Sequence, residues 1–207
     1  MTRLEFFYDL TSPWTYLAFT GIRPLAAELG VPIEWRPILV GGVFNAANQG
    51  LYAKREAAFE NKRLMHYMMK DLGDWAHLRG IEINWPRFHP AKAVKCMRGC
   101  FVAEAQGKLL EYSQAVFEAY WGRCEDVNDD AVLGAVAASV GLDADAFLEG
   151  INEDGVKDRL RANTDELVER GAFGSPTIFI NGDDMYFGND RLPLVEARLK
   201  SLKEDPA

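Results

Sequence analysis

Thiols are scarce in this chain. Three cysteines, Cys96, Cys100 and Cys124, stand among 207 residues, an odd count that excludes the paired disulfide framework of small secreted domains. Cys96 and Cys100 share a helix face by their spacing, but no histidine or further cysteine stands where a metal would need it, so two buried thiols are expected. Histidine is equally rare: His66, His77 and His89 have no serine or cysteine at the spacing of a known triad motif, and helix-surface or loop placement is expected for them. Positive charge is in deficit, with 23 Lys and Arg against 31 Asp and Glu, a net charge of -8 and a pI near 5.0. That balance argues against a nucleic-acid partner and leaves an anionic ligand dependent on local positive potential. Long apolar runs are missing too: none approaches the roughly 20 residues that span a bilayer. The opening "MTRLEFFYDL" has neither an apolar leader nor a cleavage site, so a cytoplasmic location is expected.

What is present is an ordinary globular composition, 48% hydrophobic and 26% charged. "LEFFY" at residues 4–8 is long enough for a buried strand. Ser12 then offers a capping hydroxyl and Pro13 sits where a first helical residue needs no N–H. Tyr16, Leu17, Ile22, Leu25, Ala26 and Leu29 continue an amphipathic helix that Gly30 ends. "VPIEWRPIL" follows as a second strand with prolines at its ends. A short β-α-β unit of this kind implies parallel pairing.

The middle of the chain, about residues 52–171, reads as helices by period. Leu64, Met68, Leu72 and Trp75 form one stripe; Leu109, Tyr112, Val116 and Tyr120 another; Val156, Leu160, Thr164 and Leu167 a third. Breaks fall at "NWPRFHP", "GRCEDVNDD" and "VGLDADA", where Asn128 or Asp129 and Asp143 can cap helices. The end returns to strands at "TIFI" and "MYF" around an Asn181-Gly182 hairpin signal, then closes with a helix over about residues 192–202. The fold class is α/β, a β-α-β … β-β-α core interrupted by a large all-helical insertion. Its division is residues 1–42 and 172–207 for the core and 43–171 for the insertion.

"YDLTSPWTYLA" at residues 8–18 resembles the D-x-x-S-P-x-x-Y-L-A signature of 2-hydroxychromene-2-carboxylate isomerases and kappa-class glutathione transferases. "GGVFNAAN" at 41–48, "FGSPT" at 173–177 and "FGNDRL" at 187–192 extend the resemblance in the same order across both halves of the core. The family is thioredoxin-like and related to bacterial dithiol oxidases, whose C-P-x-C motif is similar to "SPWT" with both cysteines replaced. The resemblance implies a cis-proline loop at Pro176 facing the start of the first helix, glutathione as cofactor, and a homodimer.

A helix N-terminus favours an anion placed against it. With no cysteine there, thiol–disulfide exchange through this motif is excluded, and the site suits a thiolate arriving from outside. Ser12 is the candidate catalytic residue, either donating to a glutathione sulfur or serving only as a cap. Pro176 is either the family's cis-proline, which would present the Ser175 backbone to glutathione as an added strand does, or a plain strand-initiating proline. Asn189 and Asp190 match the γ-glutamyl end by the resemblance, with Asp190 also a candidate cap for the last helix. Asn48 matches the glycyl end. Trp14, Trp35, Trp85 and Phe88 are candidate aromatic walls for a substrate, and Arg87 and Lys92 candidate partners for its carboxylate. The implied reaction is glutathione-dependent isomerisation by reversible thiolate addition and elimination. A kappa-like transferase or peroxidase, or a binder without turnover, carries the same motifs.

Overall fold

The computed structural model of the chain describes residues 2–47 and 60–204. Strand β1, Leu4–Tyr8, is buried along its whole length, because helices cover both faces of the sheet and alternation with polar residues is not required. Ser12 caps α1, Pro13–Leu29, and Gly30 ends it in the left-handed conformation at φ 61°. Strand β2, Ile33–Pro37, pairs parallel with β1 in the register Leu4↔Ile33 to Tyr8↔Pro37. The chain then forms α2, Val40–Ala47, before the helical region.

That region contains α3, Lys62–Arg79, α4, Val94–Ala105, and α5, Leu109–Phe117, which widens into a π-helical turn at Glu118–Gly122. It continues with α6, Asp130–Ser139, α7, Ala144–Gly150, and α8, Asp154–Glu169. Asp129 and Asp143 cap α6 and α7 as their positions suggest, and Asn61 caps α3. Strands β3, Thr177–Ile180, and β4, Asp184–Phe187, form an antiparallel hairpin. Asn181 and Gly182 take positive φ at its turn, the conformation such hairpins demand. A 3-10 turn at Asn189–Arg191 leads into α9, Leu192–Glu204. Strand order is β2-β1-β3-β4, with β3 antiparallel to β1. Among the described residues no helix is long and apolar enough to cross a membrane.

One face of the sheet, through Leu4, Phe6, Tyr8 and Ile178, shares a continuous core with α1, α9 and the helices α4 to α7. The stripe Leu109, Tyr112, Val116 and Tyr120 lies wholly inside it. Trp35 belongs there as well: its ring meets Phe6 at 5.3 Å and Phe19 at 5.1 Å. This corrects its reading as a substrate wall, since strand alternation puts Trp35 on the same face as Phe6.

The opposite face carries Phe7 and Phe179 under α2 and α8, and a charge cluster. Glu5 is fully buried, and Arg170 grips it with two bonds of 2.8 and 3.1 Å. The same guanidinium donates to Gly182 O at 2.7 Å, pairs with Glu166 at 2.9 Å and lies 3.7 Å over the Phe179 ring. Arg3 adds a second cation to Glu5 at 2.9 Å. A buried carboxylate is tolerated only with such compensation. The cluster fixes the end of α8 against β1 and the hairpin, and so fixes where the chain re-enters the sheet.

Candidate active site

A cavity of about 520 Å³ opens at the N-terminus of α1. Its floor is built by the junction that the sequence marks with two Ser-Pro pairs. Ser12 Oγ accepts from Thr15 N at 3.3 Å and donates to Ser175 O at 3.4 Å. The Ser175–Pro176 peptide is cis, so the loop before β3 does face the start of α1. Ser175 Oγ in turn accepts from Asp9 N at 3.0 Å and shares a hydrogen with Thr15 Oγ1 at 2.8 Å. Each side of the junction therefore holds the other in place.

Asp9 organises the same corner from below. Its buried carboxylate accepts from Thr11 N at 2.8 Å, Thr11 Oγ1 at 2.7 Å and Val40 N at 2.9 Å. Burial pushes its carboxyl above the usual range, and the three donors pull against that rise. The first turn of α1 contains no acidic residue, and the Asp9 carboxylate just ahead of the cap is taken up by Thr11 and Val40, so no side-chain carboxylate within the helix itself offsets its positive end. The hydroxyl bonds of Ser12, at 3.3 and 3.4 Å, are at the long limit for such contacts. An anion arriving at that helix end would win the Ser12 proton readily, since a charge-assisted bond is about twice as strong as a neutral one.

The walls are largely apolar. Trp14 and Trp85 line the cavity with Ser12 and Ser175. Helix α3 contributes Met65, Met68, Met69 and Leu72; part of its apolar stripe faces this hollow instead of the core, and Leu64 remains exposed. Phe187 closes the β4 side. Its ring would stand 2.7 Å from any Cβ at position 174, so a glycine there lets the loop and the ring coexist.

Not every candidate gathers at the cavity. Phe88 and Lys92 are exposed and do not line it. Asn189 is buried in the turn after β4, with no partner for its Nδ2 among the described residues. The Asp190 carboxylate accepts from Arg191 at 2.7 Å. Pro176 lies buried behind Ser175, and Asn48 falls outside the described residues. Cys96 and Cys100 are fully buried; burial pushes both thiols up, Cys100 to about 12, so neither is a nucleophile at neutral pH. Among the described residues no cluster of three or more His, Cys, Asp or Glu could hold a metal ion.

His89 is the residue that sequence reasoning missed. It lines the cavity, with Nδ1 2.8 Å from the Tyr120 hydroxyl and its ring 4.8 Å from Trp85 and 5.3 Å from Trp121. The signal available was its place in "WPRFHP", a loop already singled out for its aromatics; its partner Tyr120 is 31 residues away.

Residues 3–200 match the family described as "DSBA-like thioredoxin domain". A 2-hydroxychromene-2-carboxylate isomerase of Sphingobium xenophagum is 31% identical over 95% of this chain and 97% of its own length. Glutathione S-transferase kappa 1 of rat (Rattus norvegicus) is 28% identical over 93% and 88%. The solved structure of a 2-hydroxychromene-2-carboxylate isomerase superposes with a TM-score of 0.80 at 28% identity, covering 96% of this chain and 95% of that one.

Proposed function

Since the chain belongs to the DSBA-like thioredoxin family, in its branch of 2-hydroxychromene-2-carboxylate isomerases and kappa-class glutathione transferases, we propose that it is a glutathione-dependent isomerase of 2-hydroxychromene-2-carboxylate, a cyclic hemiketal whose ring-opened form is an aryl-substituted, conjugated 2-oxo acid, or of a similar aromatic-breakdown intermediate. One observation carries the reading: the weakly held Ser12 hydroxyl at the N-terminus of a helix with no acidic residue in its first turn, set against the Ser175–Pro176 loop. This donor set fits a thiolate that the protein does not itself supply. When bound, glutathione contributes a thiolate that adds reversibly to a conjugated double bond, which permits rotation before the bond re-forms.

The protein's part is to hold and to shield. Ser12 donates to the sulfur and keeps it ionised, together with the positive end of α1. The Ser175 backbone meets the cysteinyl unit, and Asn189 and Asp190 meet the γ-glutamyl end; Asn48 is assigned to the glycyl end on the resemblance alone. Trp14 and Trp85 exclude water from the aromatic half, while Phe88 and Lys92 act at its rim. The cytoplasm, where glutathione is abundant, and a homodimeric assembly belong to the same proposal.

The test is an ultraviolet spectral assay of 2-hydroxychromene-2-carboxylate with catalytic glutathione. Conversion to the ring-opened trans isomer with glutathione undiminished supports the isomerase. Stoichiometric loss of glutathione onto an electrophile would make the chain a transferase, and glutathione binding without turnover would make it a binder.

A further inference from the structure

Two carboxylates are buried on or just beyond β1, and the fold treats them in opposite ways. Glu5 lies between the guanidinium groups of Arg170 and Arg3. Asp9 is 1% exposed, and among the described residues no lysine, arginine or histidine counters its charge. The titratable groups that feel that charge are the thiols of Cys96 and Cys100 on α4 and the Tyr120 phenol, all pushed up by burial and neutral at pH 7. A buried carboxylate held by hydrogen bonds alone is costly, and departures of this kind concentrate at functional sites.

The bonds that hold Asp9 join three segments. Its backbone N–H donates to Ser175 Oγ at 3.0 Å, and its carbonyl accepts from Ser12 N at 3.2 Å. Oδ1 takes both donors of Thr11. Oδ2 takes the N–H of Val40, the first residue of α2, at 2.9 Å. A second bond, Leu39 N to Thr164 Oγ1 at 3.0 Å, joins the start of α2 to α8, and of the residues of α2 itself only Val43 is buried. Leu39, Val40, Gly41 and Gly42 line the cavity together with Ser12. An ionised carboxylate has acceptors for all three donors. A proton or an amide nitrogen at the Oδ2 position would set hydrogen against the Val40 N–H.

We propose that Asp9 is a positioning residue: its ionised carboxylate sets the start of α2, and so one wall of the cavity, at a fixed place relative to Ser12. Burial holds the Asp9 carboxyl above the usual carboxylate range, and the consequence has a definite sign. The folded chain binds that proton more tightly than the unfolded chain does. This contribution to stability is therefore full below the ordinary carboxylate pKa and lost as pH rises through the folded one. At pH 7 the charge lowers stability and is kept for the geometry it enforces.

The test is Asp9→Asn, which keeps the size and both backbone bonds but has an acceptor on one side only. Expected at pH 7 is a urea midpoint at or above that of the wild type, an advantage that fades below the ordinary carboxylate pKa of about 4. The bound glutathione thiol should be no less acidic than in the wild type, while kcat/KM at saturating glutathione falls by about 10- to 100-fold. In nitrogen-15 spectra the Val40 amide signal should move in the variant, and in the wild type it should titrate together with the Asp9 carboxyl, a measurement that needs no variant to fold. A residue that merely braces the fold would lose midpoint and activity together. That result, an unchanged kcat/KM, or a Val40 signal indifferent to the Asp9 titration would each overturn the assignment. The rate readout rests on the isomerase reading: a wild type inactive toward 2-hydroxychromene-2-carboxylate would sink that reading, and the Val40 titration would still decide the tether.

Discussion

Replacing Ser12 with alanine separates a cap from an activator, because the two roles differ in size. As a cap, Ser12 Oγ makes bonds of 3.3 and 3.4 Å, both near the limit, so its loss belongs at the lower end of capping costs, about 0.5–1 kcal/mol. In a chain of this length that lowers the thermal midpoint by about 1–4 °C. As donor to a thiolate, the same hydroxyl contributes about 1.5–3 kcal/mol, or about 10- to 150-fold in rate. The expected Ser12→Ala protein is therefore folded and nearly as stable as the wild type. It still binds glutathione through the loop and the helix end, but the thiol pKa in the complex rises by one to two units, given about 1.4 kcal/mol per unit. Scanning calorimetry, an ultraviolet titration of bound thiolate and kcat/KM together check this. A variant that loses several degrees of stability and keeps its kcat/KM would refute the activator role and leave Ser12 a cap.

Two further substitutions probe the frame around the site. Arg170→Met strands the fully buried Glu5 with the half-exposed Arg3 alone, and should cost about 3–5 kcal/mol in urea unfolding; adding Glu5→Gln should recover much of it, and a single-variant loss below about 1 kcal/mol would show that the cluster is not structural. Gly99→Ala drives a Cβ into the Tyr112 hydroxyl and to 2.5 Å from Phe147 Cζ, where both rings are fully buried. The overpacking, about 1–3 kcal/mol, and the loss of the Tyr112 bond to Cys96 O should together exceed the helix gain of about 1 kcal/mol, so a midpoint at or above that of the wild type would contradict the packing described.

Much of this frame could be read from local signals. The Ser12-Pro13 cap, the Asn181-Gly182 turn and the stripe from Leu109 to Tyr120 each depend on residues a few positions apart, where period and turn chemistry apply. What could not be read is held by distance. Glu5 and Arg170 are 165 residues apart, and nothing in "LEFFY" states that a carboxylate there will be enclosed. Trp35 and Trp85 are equally aromatic, yet one faces the core and the other a hollow, a choice made by the helices that later cover the sheet. The helical period correctly put Met68 and Leu72 on one face of α3, but a period cannot say whether that face meets packed atoms or an open space. His89 was passed over for the same reason: its place in the cavity wall is held by Tyr120, on another element.

The three thioethers that α3 presents to the cavity have a consequence for how this chain would change under selection. Opposite them, Ser12, Ser175, Asp9 and Thr15 are locked to one another, whereas methionine side chains bend, repack and accept many shapes. On the proposed function, a cavity so made would be strict about the atom held at Ser12 and lenient about the scaffold that carries it. Randomising Met65, Met68 and Met69 should retune which ring systems are accepted while the gripping end is left as it was.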